Sequence, residues 1–127
     1  MTWTASLAIA VGAVLGAWLR WGLGTWLNPL LPVLPVGTLV ATLTGGFLIG
    51  AAVEMFHIHV HLPRELWLFF VTGFLGALTT FSTFSAEVVG LLRTAQYGWA
   101  ALAASAHLVG SLAMTGLGIF AIQQINK

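Results

Sequence analysis

Apolar residues fill four long blocks of the chain, and polar residues fall between the blocks or gather at one place inside the third. The first block runs from Trp3 to about Trp26, and its one charge, Arg20, lies toward the end, where a long side chain can reach lipid headgroups. Asn28, Pro29, Pro32 and Pro35 then make a stiff, uncharged connection that cannot continue a helix. A second block extends from Val36 to Phe56, with Glu54 near its end. The most polar stretch, HIHVHLPRE at residues 57–65, forms the next connection. A third block runs from Leu66 to about Leu92; after Arg93 to Tyr97 a fourth occupies Gly98 to Ile122, and Asn126 and Lys127 close the chain. A helix needs about 20 apolar residues to cross a bilayer, and each block supplies them. The pattern predicts an all-α membrane protein, with residues 1–127 forming a single domain of four transmembrane helices.

Two further signals agree with these boundaries. Trp3, Trp21, Trp26, Trp67 and Trp99 fall near expected span ends, where the amphipathic indole prefers the interface. Small residues recur four apart in Gly12 and Gly16, in Gly46 and Gly50, and in Ser111 and Thr115, so backbones can approach closely. For the two glycine pairs, packing within one subunit is expected.

Composition narrows the function classes. Of 127 residues, 59% are hydrophobic and 6% charged, and the mean hydropathy is +1.00. Ordinary soluble domains carry about 25% charged residues, and so few charges cannot cover a water-facing surface. A net charge of +1 supplies no basic patch, so no nucleic-acid partner is expected. Cysteine is absent and says nothing of redox compartment. The first residues lack the basic opening of a secretory signal and read as a retained span. No set of acid, base and nucleophile suggests an enzyme.

The placement of charge bears on orientation. With four spans, Arg64 and Lys127 fall on one side and Arg20 and Arg93 on the other, a balance without positive-inside preference. Such a chain can insert both ways, and two oppositely inserted copies can pair about an axis in the membrane plane.

The richest chemistry lies in GFLGALTTFSTFSAE, Gly73 to Glu87. Hydroxyls at 79, 80, 82, 83 and 85 point around every side of a helix, so some face protein or water rather than lipid. Either the helix breaks here, freeing carbonyls for a cation such as Na⁺ or for a partner's donors, or it continues and its Ser and Thr bond the preceding turn. Phe81 and Phe84, three apart, share a face. Their ring edges carry partial positive charge and can meet an anion without a fixed cation that would trap it. On the fourth span His107, Ser111 and Thr115 form one stripe at i+4 spacing, suited to a polar path or to bonding between helices. Arg20, Glu54 and Glu87 are charged residues inside spans, with snorkelling the simpler reading for the first two. His57, His59 and His61 could lie on one side of an extended chain, but no carboxylate or cysteine completes a metal site, and they read as interfacial loop residues.

The motif GFLGALTTFSTFSAE, with GTL and GGFLIG before it and GSLAMTGLG after it, resembles the CrcB/Fluc family of fluoride channels. The similarity covers nearly the whole chain, including the Arg20-Trp21 pair. It implies an antiparallel dual-topology homodimer in the bacterial inner membrane, with two fluoride pores at the subunit interface. A broken third helix would hold a structural Na⁺ through backbone oxygens matching Gly76 and Thr79 of both subunits. Phe81 and Phe84 would match the aromatic box, and Ser111 and Thr115 the polar track of the fourth helix, with His107 at its start. Thr42 stands in GTLVAT where the family has Asn, and its hydroxyl is expected to donate to fluoride or to a polar neighbour. The implied activity is passive efflux of toxic fluoride. A proton-coupled exporter of the small multidrug-resistance type is the alternative, although such exporters need a carboxylate deep in the first span and none is present. A non-transporting assembly subunit is a third class.

Overall fold

The computed structural model describes residues 2–127, and nearly all of them are helical. Helix α1 spans Trp3–Leu27, and the Thr2 hydroxyl starts it by accepting from the Ala5 N–H at 3.1 Å. Pro29 ends the run in a single 3-10 turn, Asn28–Leu30. Helix α2, Val36–Ile58, follows Pro35, which offers no side-chain cap. Asn28 supplies that cap from a distance: its Oδ1 accepts from the N–H groups of Gly37 at 2.7 Å and Thr38 at 3.2 Å.

The third span is assembled from pieces. Pro63 opens α3, Arg64–Trp67, which passes into a π-helical stretch, Leu68–Leu75, and then α4, Gly76–Leu78. Thr79 and Thr80 are extended, with ψ of 148° and 117°. Helix α5, Phe81–Arg93, starts anew, its first turn capped where Thr80 Oγ1 accepts from the Thr83 N–H at 3.2 Å. A tight turn in which Ala95 has φ of 58° leads to α6, Tyr97–Ile125.

Four segments are long and apolar enough to cross a membrane: Trp3–Leu30, Val36–Ile58, Arg64–Arg93 and Tyr97–Ile125. They coincide with the four expected blocks. The last two begin earlier than hydropathy indicated and the fourth also ends later. A helix whose backbone bonds are internal can extend past the hydrocarbon with polar residues such as Arg64, Glu65, Gln123 and Gln124. Hydropathy does not mark the π-helical stretch, because a wider turn leaves the apolar content unchanged.

Glycines set the packing. Helix α1 lies against the π-helical stretch so closely that a Cβ on Gly12 or Gly16 would run into the carbonyl oxygens of Phe69 and Phe74. Helices α2 and α6 pack in the same way, with Gly46 and Gly50 against the backbone of Ser111 and Thr115. Both glycine pairs therefore serve packing within the chain, as expected, and the third small pair is the surface that receives the second. Leu78, fully buried, joins Ala41 and Leu75 in one core cluster, and Leu34, Leu91, Ala100 and Ala103 form another. Large apolar side chains including Leu108, Val109, Leu112 and Phe120 remain exposed, a surface that suits lipid or a second apolar partner.

Candidate functional site

The extended residues Thr79 and Thr80 redirect the chain so that α5 leans on α6, and a cavity of about 440 Å³ opens beside them. Thr42 from α2, Thr79 and Thr80, Phe81 and Phe84 from α5, and His107 and Ser111 from α6 line it. A neighbouring cavity of about 400 Å³ shares Thr42, Thr79 and Ser111 and adds Gly76 and Thr115. Every residue singled out as pathway or sodium ligand thus lies on one of two adjoining cavities, although those residues come from four helical segments.

The two phenylalanines differ in setting. Their rings meet edge to face with centroids 5.5 Å apart, which fits one shared helix face. Phe84 leans inward, its centroid 4.6 Å from the His107 ring at a tilt of 41°. Phe81 is 79% exposed and projects away from its own chain.

The hydroxyl stripe on α6 is partly spent on structure. Thr115 Oγ1 lies 3.0 Å from the Gly46 carbonyl oxygen and 2.9 Å from that of Ser111, so its proton serves the α2 contact and its own helix. Ser111 donates to the Leu108 carbonyl at 3.1 Å. Thr79 likewise donates back to Leu75 at 2.9 Å. Thr42 meets polar neighbours, one of its two expected roles: its hydroxyl donates to the Thr38 carbonyl at 3.0 Å, and its oxygen lies 3.0 Å from His107 Nδ1. A threonine has one hydroxyl proton, so the Thr38 carbonyl and His107 Nδ1 meet the same donor-acceptor group.

Two contacts join residues of different spans that no spacing within one helix relates. Buried Thr38 donates to Glu87 Oε2 at 2.7 Å, joining α2 to α5 beside the second core cluster. Glu87 was recognisable as an ionisable residue inside a span, but its partner 49 positions away was not. Arg20 donates Nε–H to the Ala77 carbonyl at 2.9 Å, next to the point where α4 ends, a contact that snorkelling alone does not require. Arg20, Thr38, Thr80 and Thr83 border a third cavity of about 350 Å³, so the polar residues of α5 face protein on this side as well. In the loop after α2, the rings of His59 and His61 meet edge to face at 6.0 Å. Among the described residues no three His, Cys, Asp or Glu side chains gather to hold a metal ion.

A bundle of four apolar spans, with two adjoining cavities where the third span leaves helical geometry, defines a multi-pass membrane protein. The family described as "CrcB-like protein, Camphor Resistance (CrcB)" matches residues 7–119, and the chain belongs to that family. It is 60% identical to a protein of Nitrosospira multiformis named "Fluoride-specific ion channel FluC", over 94% of both chains. Proteins of the same name from Pseudomonas paraeruginosa and Thiobacillus denitrificans are 56% and 52% identical, each over 94% of this chain and over 94% and 97% of their own.

Proposed function

We propose that this protein is a fluoride-specific ion channel through which fluoride leaves the cell passively. Identity of 52 to 60% to the named fluoride channels over 94% of the chain carries the reading. The cavities supply chemistry that suits it. Phe81 and Phe84 present ring edges, Thr80 and Ser111 present hydroxyls, and no Lys or Arg lines the two cavities to trap an anion. Fluoride sheds part of its hydration and passes between ring edges, hydroxyls and retained waters, driven by the membrane potential.

The pore is formed by two copies in opposite orientation in the bacterial inner membrane. Supporting this are the two-against-two balance of Lys and Arg, the 79% exposure of Phe81, and the cavities that one chain leaves incompletely walled. An oppositely directed copy supplies the missing wall and gives Phe81 an apolar and aromatic setting.

A structural Na⁺ at the dimer centre fits the same region. The chain breaks its helical bonding at Thr79 and Thr80, and among the described residues no amide reaches the Gly76 or Thr79 carbonyl oxygens. Free carbonyls at this depth need a partner, and a hard cation takes oxygen ligands. Gly76 is exposed, and a Cβ on it would touch only the Val71 oxygen at 3.6 Å, so its own chain does not require glycine there. Close approach of a second copy does. A cation bound there offsets negative charge nearby and ties the two subunits together.

Fluoride efflux from proteoliposomes, recorded with a fluoride electrode, tests the function. Efflux driven by a fluoride gradient and a potassium diffusion potential alone, with chloride retained, is expected. A requirement for a proton gradient indicates a coupled exporter, and no flux indicates an assembly subunit; either result overturns the proposal.

A further inference from the structure

The hydroxyl of Thr42 sits between two groups, and its one proton cannot serve both. The Thr38 carbonyl, 3.0 Å away, can only accept, and donation to it commits the Thr42 proton to the preceding turn. With the proton so committed, the Thr42 oxygen faces His107 Nδ1, also at 3.0 Å, as an acceptor, an arrangement complete when Nδ1 carries the hydrogen. His107 is 5% exposed and packed against the Phe84 ring, which leaves its imidazole little freedom to turn over. Its other nitrogen, Nε2, has no partner among the described residues. No buried side-chain nitrogen or oxygen is left unpartnered among them, so Nε2 opens onto the cavity that the ring lines. That cavity wall carries no Asp or Glu to pair with an imidazolium.

We propose that Thr42 is a positioning residue that fixes His107 as the neutral Nδ1–H tautomer, so that Nε2 offers the ion path a lone pair and holds a water instead of donating to fluoride. The proposal rests on the channel reading for its consequence but not for its geometry. A bare Nε2 accepts one hydrogen of a water, and the second hydrogen of that water is free to face the anion. His107 thereby acts through an anchored water, and Thr42 acts through His107. The role differs from that of a side chain that meets the ion itself. It depends on an acceptor oxygen at position 42 whose own proton is already committed to the preceding turn.

Selective ¹⁵N labelling of histidine and solid-state NMR of the full-length protein in bilayers tests the assignment. The His107 signals are identified by their loss in His107→Phe. The expected wild-type spectrum shows a protonated Nδ1 and an unprotonated Nε2 for His107. In Thr42→Val the Nδ1 acceptor is gone, and the tautomer is expected to reverse to Nε2–H, where the cavity can receive the proton. Thr42→Ser, which keeps the oxygen, is expected to retain the wild-type pattern. A wild-type spectrum with Nε2 protonated, or with both nitrogens protonated, overturns the proposal before any variant is made. An unchanged tautomer in Thr42→Val also overturns it. If Thr42→Val fails to fold, the wild-type and Thr42→Ser spectra decide. Fluoride efflux from the same wild-type sample keeps the two readings apart, because absent efflux removes the channel while the tautomer result stands.

Discussion

Arg20 on α1 donates its Nε–H to the carbonyl oxygen of Ala77 across 2.9 Å, joining the first span to the point where α4 stops. The helix end leaves that carbonyl without its usual amide, and lipid offers no substitute. Arg20→Met, of similar length but with no N–H, is expected to leave the carbonyl short of a donor and to destabilise the protein by about 1–3 kcal/mol. Arg20→Lys retains a charged donor without the fixed fork and should fall between the two. The thermal midpoint of the purified protein in detergent checks the order; equal midpoints for all three show that the contact contributes nothing.

The bond from Thr38 to Glu87 makes a similar prediction with a different control. Thr38→Val keeps the shape but removes the donor from a partly buried carboxyl oxygen 2.7 Å away, and we expect a loss of about 1–3 kcal/mol. Thr38→Ser keeps the donor and should remain close to wild type. A double cycle with Glu87→Met, which removes the acceptor at similar length, separates the pair from its surroundings: coupling near zero rejects the bond as a contributor.

At Gly50 the α6 backbone is so near that a Cβ would strike the Thr115 carbonyl oxygen. Gly50→Val is therefore expected to force α2 and α6 apart, costing roughly 1–3 kcal/mol or more and reducing folded yield. Gly22, whose Cβ position meets nothing within 4 Å, serves as the control, and Gly22→Ala should be tolerated. Gel filtration and melting of both variants test this; equal behaviour would falsify the close-packing account.

Phe81 and Phe84 allow a separation of ring chemistry from bulk. Isoleucine preserves apolar volume and removes the positive ring edge. An edge contact contributing about 1 kcal/mol to lowering the barrier predicts roughly fivefold slower fluoride efflux for Phe81→Ile or Phe84→Ile. Efflux at equal protein density, with oligomeric state verified, provides the measurement. Wild-type rates in both variants reduce the pair to packing.

For orientation, the balanced Lys and Arg predict that a C-terminal tag is reached from both faces of the membrane in comparable amounts. Adding two lysines at the C-terminus should bias the population toward one orientation and lower dimer yield. Labelling with a membrane-impermeant reagent before and after lysis reads the two fractions, and labelling from one side alone overturns the opposed dimer.

Hydropathy by itself determined the four spans, because the membrane selects for apolar length and tolerates little else. It also placed Gly12, Gly16, Gly46 and Gly50 at packing surfaces, since small residues four apart lie on one helix face whatever the helix meets. The cluster of hydroxyls between Thr79 and Ser85 begins where the third span leaves helical geometry, since polar groups at that depth need a protein or water neighbour. Which hydrogen bonds those groups make was beyond the sequence. Thr38 meets Glu87, Arg20 meets Ala77 and Thr42 meets His107 across 49, 57 and 65 positions, and no periodicity within a helix encodes contacts between helices. The Thr42 proton illustrates the difference. The residue type supplies one donor and an acceptor, but only the packing of α2 against α6 brought His107 Nδ1 to 3.0 Å from its oxygen.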